Sequence, residues 1–95
     1  ALNGNTSVNV LAMLANDVGK WVRKAVASNS NTPLEILSQL AVDEEWRVRE
    51  AVAESPHSPY NTLVMLTKDK KIEVRIRAKD ALQERKEKSK TSIER

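Results

Sequence analysis

The fold is decided by the stretch Asn29-Ser-Asn-Thr-Pro-Leu-Glu-Ile-Leu-Ser-Gln-Leu-Ala-Val-Asp-Glu-Glu-Trp-Arg-Val-Arg-Glu-Ala-Val-Ala-Glu54, which is one unit of a 26-residue repeat. Identical residues recur at that interval in five columns: Val22, Val48 and Val74; Arg23, Arg49 and Arg75; Leu11, Leu37 and Leu63; Leu14, Leu40 and Leu66; Asp17, Asp43 and Asp69. A repeat of this length, with apolar residues at helical spacing, is typical of stacked helix pairs. The sequence therefore predicts an all-α solenoid of about three helix-pair repeats.

The first helix of the middle unit, helix A, has a clear start signal. Thr32 is the expected N-cap, Pro33 suits the first helical position, and Glu35 completes a capping box with Thr32. Helix A is expected to run to about Asp43 and to bury one apolar stripe, formed by Leu34, Leu37, Leu40 and Ala41. The other units match this pattern, and the third has its stripe at Tyr60, Leu63 and Leu66.

The second helix, helix B, is expected over about 46–54, after a turn at Glu44 and Glu45. Its inward residues are predicted to be Val48, Ala51 and Val52. Because helix B spans only about two turns, the units are expected to alternate a longer helix A with a shorter helix B.

The repeats are predicted to fill residues 1–82, as units at about 3–28, 29–54 and 55–82, and residues 83–95 to form a charged C-terminal helix extension and tail. Arg77 and Lys79 replace alanines of the earlier units, which indicates a polar C-terminal cap. Residues after about Ser89 are expected to be frayed or disordered. Ala1 falls inside a repeat and is not preceded by Met, so we expect a fragment of a longer array, or an N-terminal end that packs on another surface.

Composition narrows the class of protein. The chain has 95 residues, which suits one domain, and no cysteine, which excludes disulfides and cysteine-ligated metal and fits a reducing compartment. No apolar run approaches the roughly 18 residues of a membrane span. Residues 1–67 hold five basic and seven acidic side chains, whereas residues 68–95 hold eleven and six. The net charge of +3 therefore comes from the C-terminal third.

A family resemblance is carried by the segments Val22-Arg-Lys-Ala-Val-Ala-Ser-Asn29, Thr32-Pro-Leu-Glu-Ile-Leu-Ser-Gln-Leu-Ala-Val-Asp43 and Val48-Arg-Glu-Ala-Val-Ala-Glu-Ser-Pro56. They resemble the leucine-rich repeat variant family, whose units are similar to HEAT repeats and carry a V-R-x-A-V-A-x-N-P element. The resemblance covers about residues 3–82 and departs from the pattern at Ser7, Ser30 and Arg77. It implies a right-handed superhelix of alternating long and short helices. It implies no single activity, since related helical-repeat proteins serve as protein-binding scaffolds and some HEAT-like ones act on DNA.

The two charged columns admit two interpretations. Each Asp is expected to close helix A, and each Arg lies six residues later in helix B. Free arginines would form a positive stripe for phosphate or carboxylate groups. The favoured alternative is that Asp and Arg pair within or between repeats and hold the A–B turn, as in HEAT-type repeats. The residues concerned are Asp17, Asp43, Asp69, Arg23, Arg49 and Arg75.

Helix B is the expected lining of a partner-binding surface, with Lys20, Trp21, Lys24, Trp46, Arg47 and Glu50 as its candidate residues. The two tryptophans either anchor a partner, as aromatic hot spots do, or cover the ends of the core. His57 is the only histidine and shares a linker column with Asn5 and Asn31, so we expect it to be a linker residue that can cap a helix rather than a metal ligand.

A basic tract in the C-terminal third holds the candidate nucleic-acid-binding residues Lys68, Lys70, Lys71, Arg77 and Lys79. Acidic residues such as Glu73 and Asp80 alternate with them, and that pattern is usually a solvated helix face. Nucleic-acid binding is therefore the alternative to a capping role.

Motifs for catalysis are missing from the sequence: no phosphate loop, paired-carboxylate constellation or nucleophile motif occurs. We predict no enzyme activity, no cofactor and no metal. We expect a cytoplasmic, non-catalytic scaffold that binds another protein or peptide, or further repeats of the same chain. Nucleic acid is the alternative partner, and no membrane interaction is expected.

Overall fold

The computed structural model describes residues 10, 11, 13 and 19–93, and of residues 87–93 only the helical backbone. Val10, Leu11 and Met13 are helical, and no strand occurs among the described residues. The all-α prediction is therefore confirmed for this part of the chain. Five helices follow one another: α1 (Lys20–Ser28), α2 (Leu34–Leu40), α3 (Trp46–Glu54), α4 (Tyr60–Leu66) and α5 (Ile72–Ile93).

Helices α1, α3 and α5 follow the helix-B pattern of the repeat and are called the B helices; they pack on one another in chain order. Helix α1 packs on α3 and α3 packs on α5, while α2 contacts α1 and α3, and α4 contacts α3 and α5. Small side chains such as Ala27, Ala51 and Ala53 allow the helices to approach closely. One apolar cluster is buried between them: Leu11, Val26, Ala27, Ile36, Leu37, Leu40, Ala41, Val48, Ala51, Val52, Ala53, Leu63, Leu66, Val74 and Ala78.

The buried stripe of the A helices, α2 and α4, differs from the prediction at its first position. Leu34 and Tyr60 are exposed, whereas Ile36 is buried beside Leu37. Leu34 and Tyr60 are the first helical residues of α2 and α4, so they precede the turn that reaches the core. The buried stripe is therefore Ile36, Leu37 and Leu40 of α2, with Ala41 at its C-cap, and it still follows one face of the helix.

The predicted capping box is wrong. The N-cap of α2 is Pro33, and no side chain caps this helix. The hydroxyl of Thr32 instead donates to the carbonyl of Val26, near the end of α1. Ser58 repeats the contact 26 residues later, donating to Val52 at 2.6 Å. Carbonyls in the last turn of a helix have no helical donor, so these hydroxyls fasten each linker to the helix before it.

Helix lengths alternate, but in the opposite order to the prediction. Helices α2 and α4 have seven residues each, whereas α1 and α3 have nine. Helix α2 ends at Leu40 because Val42 and Asp43 bond to carbonyls only three residues back, those of Gln39 and Leu40. A tight turn of this kind is common at helix ends. Helix α3 has the bounds that the sequence predicts for helix B.

Helix α5 continues to Ile93, so the backbone remains helical beyond Ser89, where fraying was expected. Residues 72–93 contain neither Gly nor Pro, and those two residues are the ones that most disfavour a helix interior. In the part of the chain that the structure describes, no helix combines the length and the apolar character that crossing a membrane requires.

Candidate functional site

The turns after α2 and α4 are each closed by an aspartate. The carboxylate of Asp43 accepts the backbone N–H of Glu45 at 2.9 Å, and that of Asp69 accepts the N–H of Lys71 at 2.9 Å. An aspartate that binds the backbone two residues ahead stabilises a turn locally. Each carboxylate is thereby held in place for a second contact.

That second contact is an arginine from the preceding B helix. Arg23 Nε lies 2.6 Å from Asp43 Oδ2 and its Nη2 3.1 Å from Oδ1, while Arg49 binds Asp69 in the same way at 2.7 and 3.1 Å. Each of the four side chains is at most 10% exposed. Bidentate pairs of this kind are among the strongest hydrogen-bonded contacts.

Arg49 also joins two successive turns. Its Nη1 donates to the carbonyl oxygen of Asp43, while its other donors bind Asp69. Arg75 repeats the first contact and donates to the Asp69 carbonyl at 2.7 Å. Asp17 lies outside the described residues. Because Arg23 and Arg49 are buried against carboxylates, the geometry favours the paired interpretation, and we propose that these pairs hold successive units together.

The electrostatics of Asp69 reflect this pairing. Burial raises the pKa of its carboxyl group, but hydrogen bonds from Arg49 and from the Lys71 backbone, with the charges of Arg49 and Lys70, outweigh burial. The pKa of Asp69 is therefore held below its ordinary value of 3.8. The folded state thus favours the ionised carboxylate.

Acid should weaken the fold through Asp69. Its folded-state pKa is depressed, so the stability it contributes is complete above about pH 4 and is lost as the pH falls through that pKa. We expect Tm to fall more between about pH 5 and pH 2.5 in the wild type than in Asp69→Asn, measured by circular dichroism. Asp80→Asn removes an exposed carboxylate from α5 and should keep the wild-type dependence. Equal pH dependence in wild type and Asp69→Asn would contradict this prediction.

A second cluster lies along the beginnings of the three stacked B helices. The nitrogen Nζ of Lys20 lies 5.5 Å from the ring centroid of Trp21, and that of Lys24 lies 5.7 Å from it. Arg47 Cζ lies 5.8 Å from the Trp21 ring and 4.6 Å from the Trp46 ring. Cations at these distances are attracted to the ring face. We call the following set the tryptophan–cation surface: Lys20, Trp21, Lys24, Glu45, Trp46, Arg47 and Lys71.

The alternation of tryptophan rings and cations along this surface follows from the repeat. Trp21 and Arg47 occupy one column of the 26-residue pattern, and Lys20 and Trp46 occupy the next. An aromatic ring on one helix therefore meets a cation on the following helix. Lys71 extends the series, with its Nζ 4.8 Å from the Trp46 ring centroid.

Glu45 anchors the cations of this surface. It is the N-cap of α3, where it accepts the backbone N–H of Arg47, and its Oε2 lies 2.9 Å from Arg47 Nη1. Its Oε1 lies 3.9 Å from Lys20 Nζ. Desolvation raises the pKa of Glu45, but the hydrogen bonds from Arg47 and the charges of Lys20 and Arg47 lower it by more. The pKa of Glu45 therefore lies below its ordinary value. Glu45 is thus ionised at neutral pH and orients its two partners.

The two tryptophans differ in burial. Trp21 is 59% exposed, whereas Trp46 is half-buried and packs against the apolar cluster.

Glu50, the remaining candidate for partner binding, forms an ion pair outside this surface, with its Oε2 3.4 Å from Arg77 Nε. Sequence reasoning missed Glu45, and it assigned Lys71 to the nucleic-acid candidates rather than to this surface. Their signal was Glu45 at a helix start and Lys71 26 residues later in the same column.

The candidate nucleic-acid residues do not form a uniformly positive surface. Arg77 Nε lies between Glu50 and Glu54, 3.1 Å from the carboxylate of the latter. Lys71 Nζ lies 3.9 Å from Glu73. Lys68 and Lys70 are exposed but line a cleft that also contains acidic side chains, namely Asp43, Glu44 and Asp69. Lys79 is exposed on α5.

His57 links two successive linkers. Its Nδ1 is 3.3 Å from the Ser55 hydroxyl, and its Nε2 is 3.1 Å from the carbonyl oxygen of Thr32. The side chain thus makes linker contacts on both ring nitrogens. Among the described residues, no three His, Asp or Glu side chains come together as a metal site.

The recurrence of the same contacts 26 residues apart, Arg23–Asp43 and Arg49–Asp69, with stacked B helices, defines an all-α helical-repeat chain. The model of the family described as leucine rich repeat variant matches residues 21–45, from α1 through α2 to the N-cap of α3. This match confirms the resemblance that the sequence motifs indicate. Neither a search of curated proteins nor a search of solved structures found a match.

Proposed function

We propose that this chain is a non-catalytic binding module of the helical-repeat type. In this proposal its helix pairs form a right-handed α-solenoid of about three 26-residue repeats over residues 1–82, and residues 83–95 form a charged C-terminal helix extension and tail. The repeated Arg–Asp pairs and the repeated Thr32 and Ser58 contacts support that arrangement. Its expected partner is another protein, a peptide or further repeats of the same chain.

The observation that carries the proposal is the tryptophan–cation surface. Tryptophan and arginine are enriched among the residues that dominate binding energy at protein interfaces. Here Trp21 is largely exposed, while Arg47 is held by Glu45 and by two rings. Side chains that are already ordered lose less conformational entropy on binding. The surface is therefore suited to recognition.

The test is selection of random displayed peptides on the purified chain. We expect the selected peptides to bind the wild type and to bind Trp21→Ala at least tenfold more weakly, measured by fluorescence anisotropy. Tyr60→Ala is the matched control, because it removes another exposed aromatic side chain from a different helix, α4. Circular dichroism verifies that both variants fold. Failure to select any peptide, or peptides that ignore Trp21→Ala, would refute binding at this surface.

Nucleic-acid binding by the basic C-terminal third is the second candidate. The exposed side chains of Lys68, Lys70 and Lys79 support it. A titration with labelled duplex DNA and with RNA at about 50 and 200 mM salt tests it, because binding through phosphates weakens steeply with salt. Absence of binding at the lower salt concentration would eliminate this candidate.

A further inference from the structure

We propose that the tryptophan–cation surface binds an acidic peptide segment, in extended conformation, that crosses α1, α3 and the start of α5. This inference rests on the proposed function and specifies the partner's chemistry. It follows from the charge, the accessibility and the spacing of the cations on this surface.

The charge of the surface favours an anionic partner. Lys20, Lys24, Arg47 and Lys71 contribute four positive charges, whereas Glu45 contributes one negative charge. Glu73, which lies 3.9 Å from Lys71 Nζ, adds one more at its edge. A net positive surface attracts carboxylates and repels basic segments.

The cations are accessible as well as oriented. The side chains of Lys20, Arg47 and Lys71 are each 40–43% exposed. A guanidinium has five N–H donors, and within the described part of the chain Glu45 is the one residue that accepts from that of Arg47. Donors therefore remain on Arg47 for a peptide carboxylate, with which arginine forms strong bidentate pairs.

The spacing of the cations predicts the pattern of the peptide. Lys20 and Lys24 lie on α1, Arg47 lies on α3, and Lys71 immediately precedes α5. Packed helices lie about 8–10 Å apart, and a peptide in the extended polyproline II conformation advances about 3.1 Å per residue with three residues per turn, so that every third side chain faces the same way. One helix-to-helix step therefore matches about three peptide residues, so acidic residues at every third position would meet successive cations.

A peptide fits this surface better than a single-stranded nucleic acid does. Base stacking needs open ring faces, but Arg47 lies against both tryptophan rings and the lysines lie around Trp21. Glu45 and Glu73 also interrupt the positive charge, which opposes a backbone with a phosphate at every step. A peptide can place carboxylates only where the cations are.

The test compares two labelled heptapeptides by fluorescence anisotropy. The first has glutamate at its first, fourth and seventh positions and proline elsewhere, since proline favours the polyproline II conformation. The second has the same composition with the three glutamates adjacent at its centre. We expect the spaced peptide to bind at least threefold more tightly. Lys71→Gln should weaken its binding at least fivefold, whereas the matched control Lys79→Gln, within α5, should change it less than twofold.

Three outcomes would overturn the inference. The first is equal affinity, or no measurable affinity, for the two peptides. The second is equal effects of Lys71→Gln and Lys79→Gln. The third is tighter binding of a seven-nucleotide oligothymidylate that is also lost in Lys71→Gln, which would assign the surface to nucleic acid. If neutral displayed peptides still depend on Trp21, the proposed function stands and only the acidic specificity fails; if selection also yields nothing, both fail.

Discussion

Replacing Arg49 by alanine should lower the free energy of unfolding by about 3–5 kcal/mol, because it leaves Asp69 buried without its charged partner. The same change removes the donor to the Asp43 carbonyl, so two successive turns lose one shared contact. Urea denaturation followed by far-ultraviolet circular dichroism measures the loss. The free energy of unfolding of native domains is typically about 5–15 kcal/mol, so the variant is expected to lose a large part of its stability.

Two further variants keep this prediction falsifiable. Arg77→Ala breaks a half-exposed pair with Glu54, and exposed pairs contribute only about 0–1 kcal/mol. In a double-mutant cycle, Arg49→Ala combined with Asp69→Ala should lose less stability than the sum of the single changes, because each single change leaves the other partner unpaired. A loss in Arg49→Ala no larger than that in Arg77→Ala would show that the buried pair does not hold the turns together.

Replacing Leu37 by alanine should lower the free energy of unfolding by about 2–5 kcal/mol, through lost apolar burial and the cavity that remains. Leu37 is fully buried in the cluster where α2 meets α1 and α3. The same denaturation experiment measures this change.

The matched control is Leu34→Ala in the same helix. Leu34 is 51% exposed, and substitutions at such positions usually change stability by no more than about 0.5 kcal/mol. Comparable losses at positions 34 and 37 would mean that both leucines are buried, as the sequence pattern alone predicted.

Much of the fold was predictable because its signals are local. The 26-residue period and the apolar spacing within each unit predict helices and their buried faces, since a helix turns by a constant angle per residue. The bounds of α3 and the burial of Leu37, Leu40 and Val48 agree with that pattern. The exposure of Leu34 was missed because periodicity does not show at which residue the first turn reaches the core.

Hydroxyl groups and charges were harder to place. A threonine before a proline fits an N-cap, but Thr32 bonds instead to Val26, six residues back, because the linker folds over the end of α1. Local sequence lists the donors and acceptors, whereas the path of the chain selects which of them meet.

By itself, the sequence determined that this protein is a repeat of helices, most of the residues that line its core, and that its Asp and Arg columns recur at the same interval. Only the tertiary structure decided that Arg49 pairs with Asp69, 20 residues away, and that Arg47 lies between two tryptophan rings on different helices. The physical reason is that periodicity is encoded along the chain. Which side chains of neighbouring units come within contact distance depends on how those units stack.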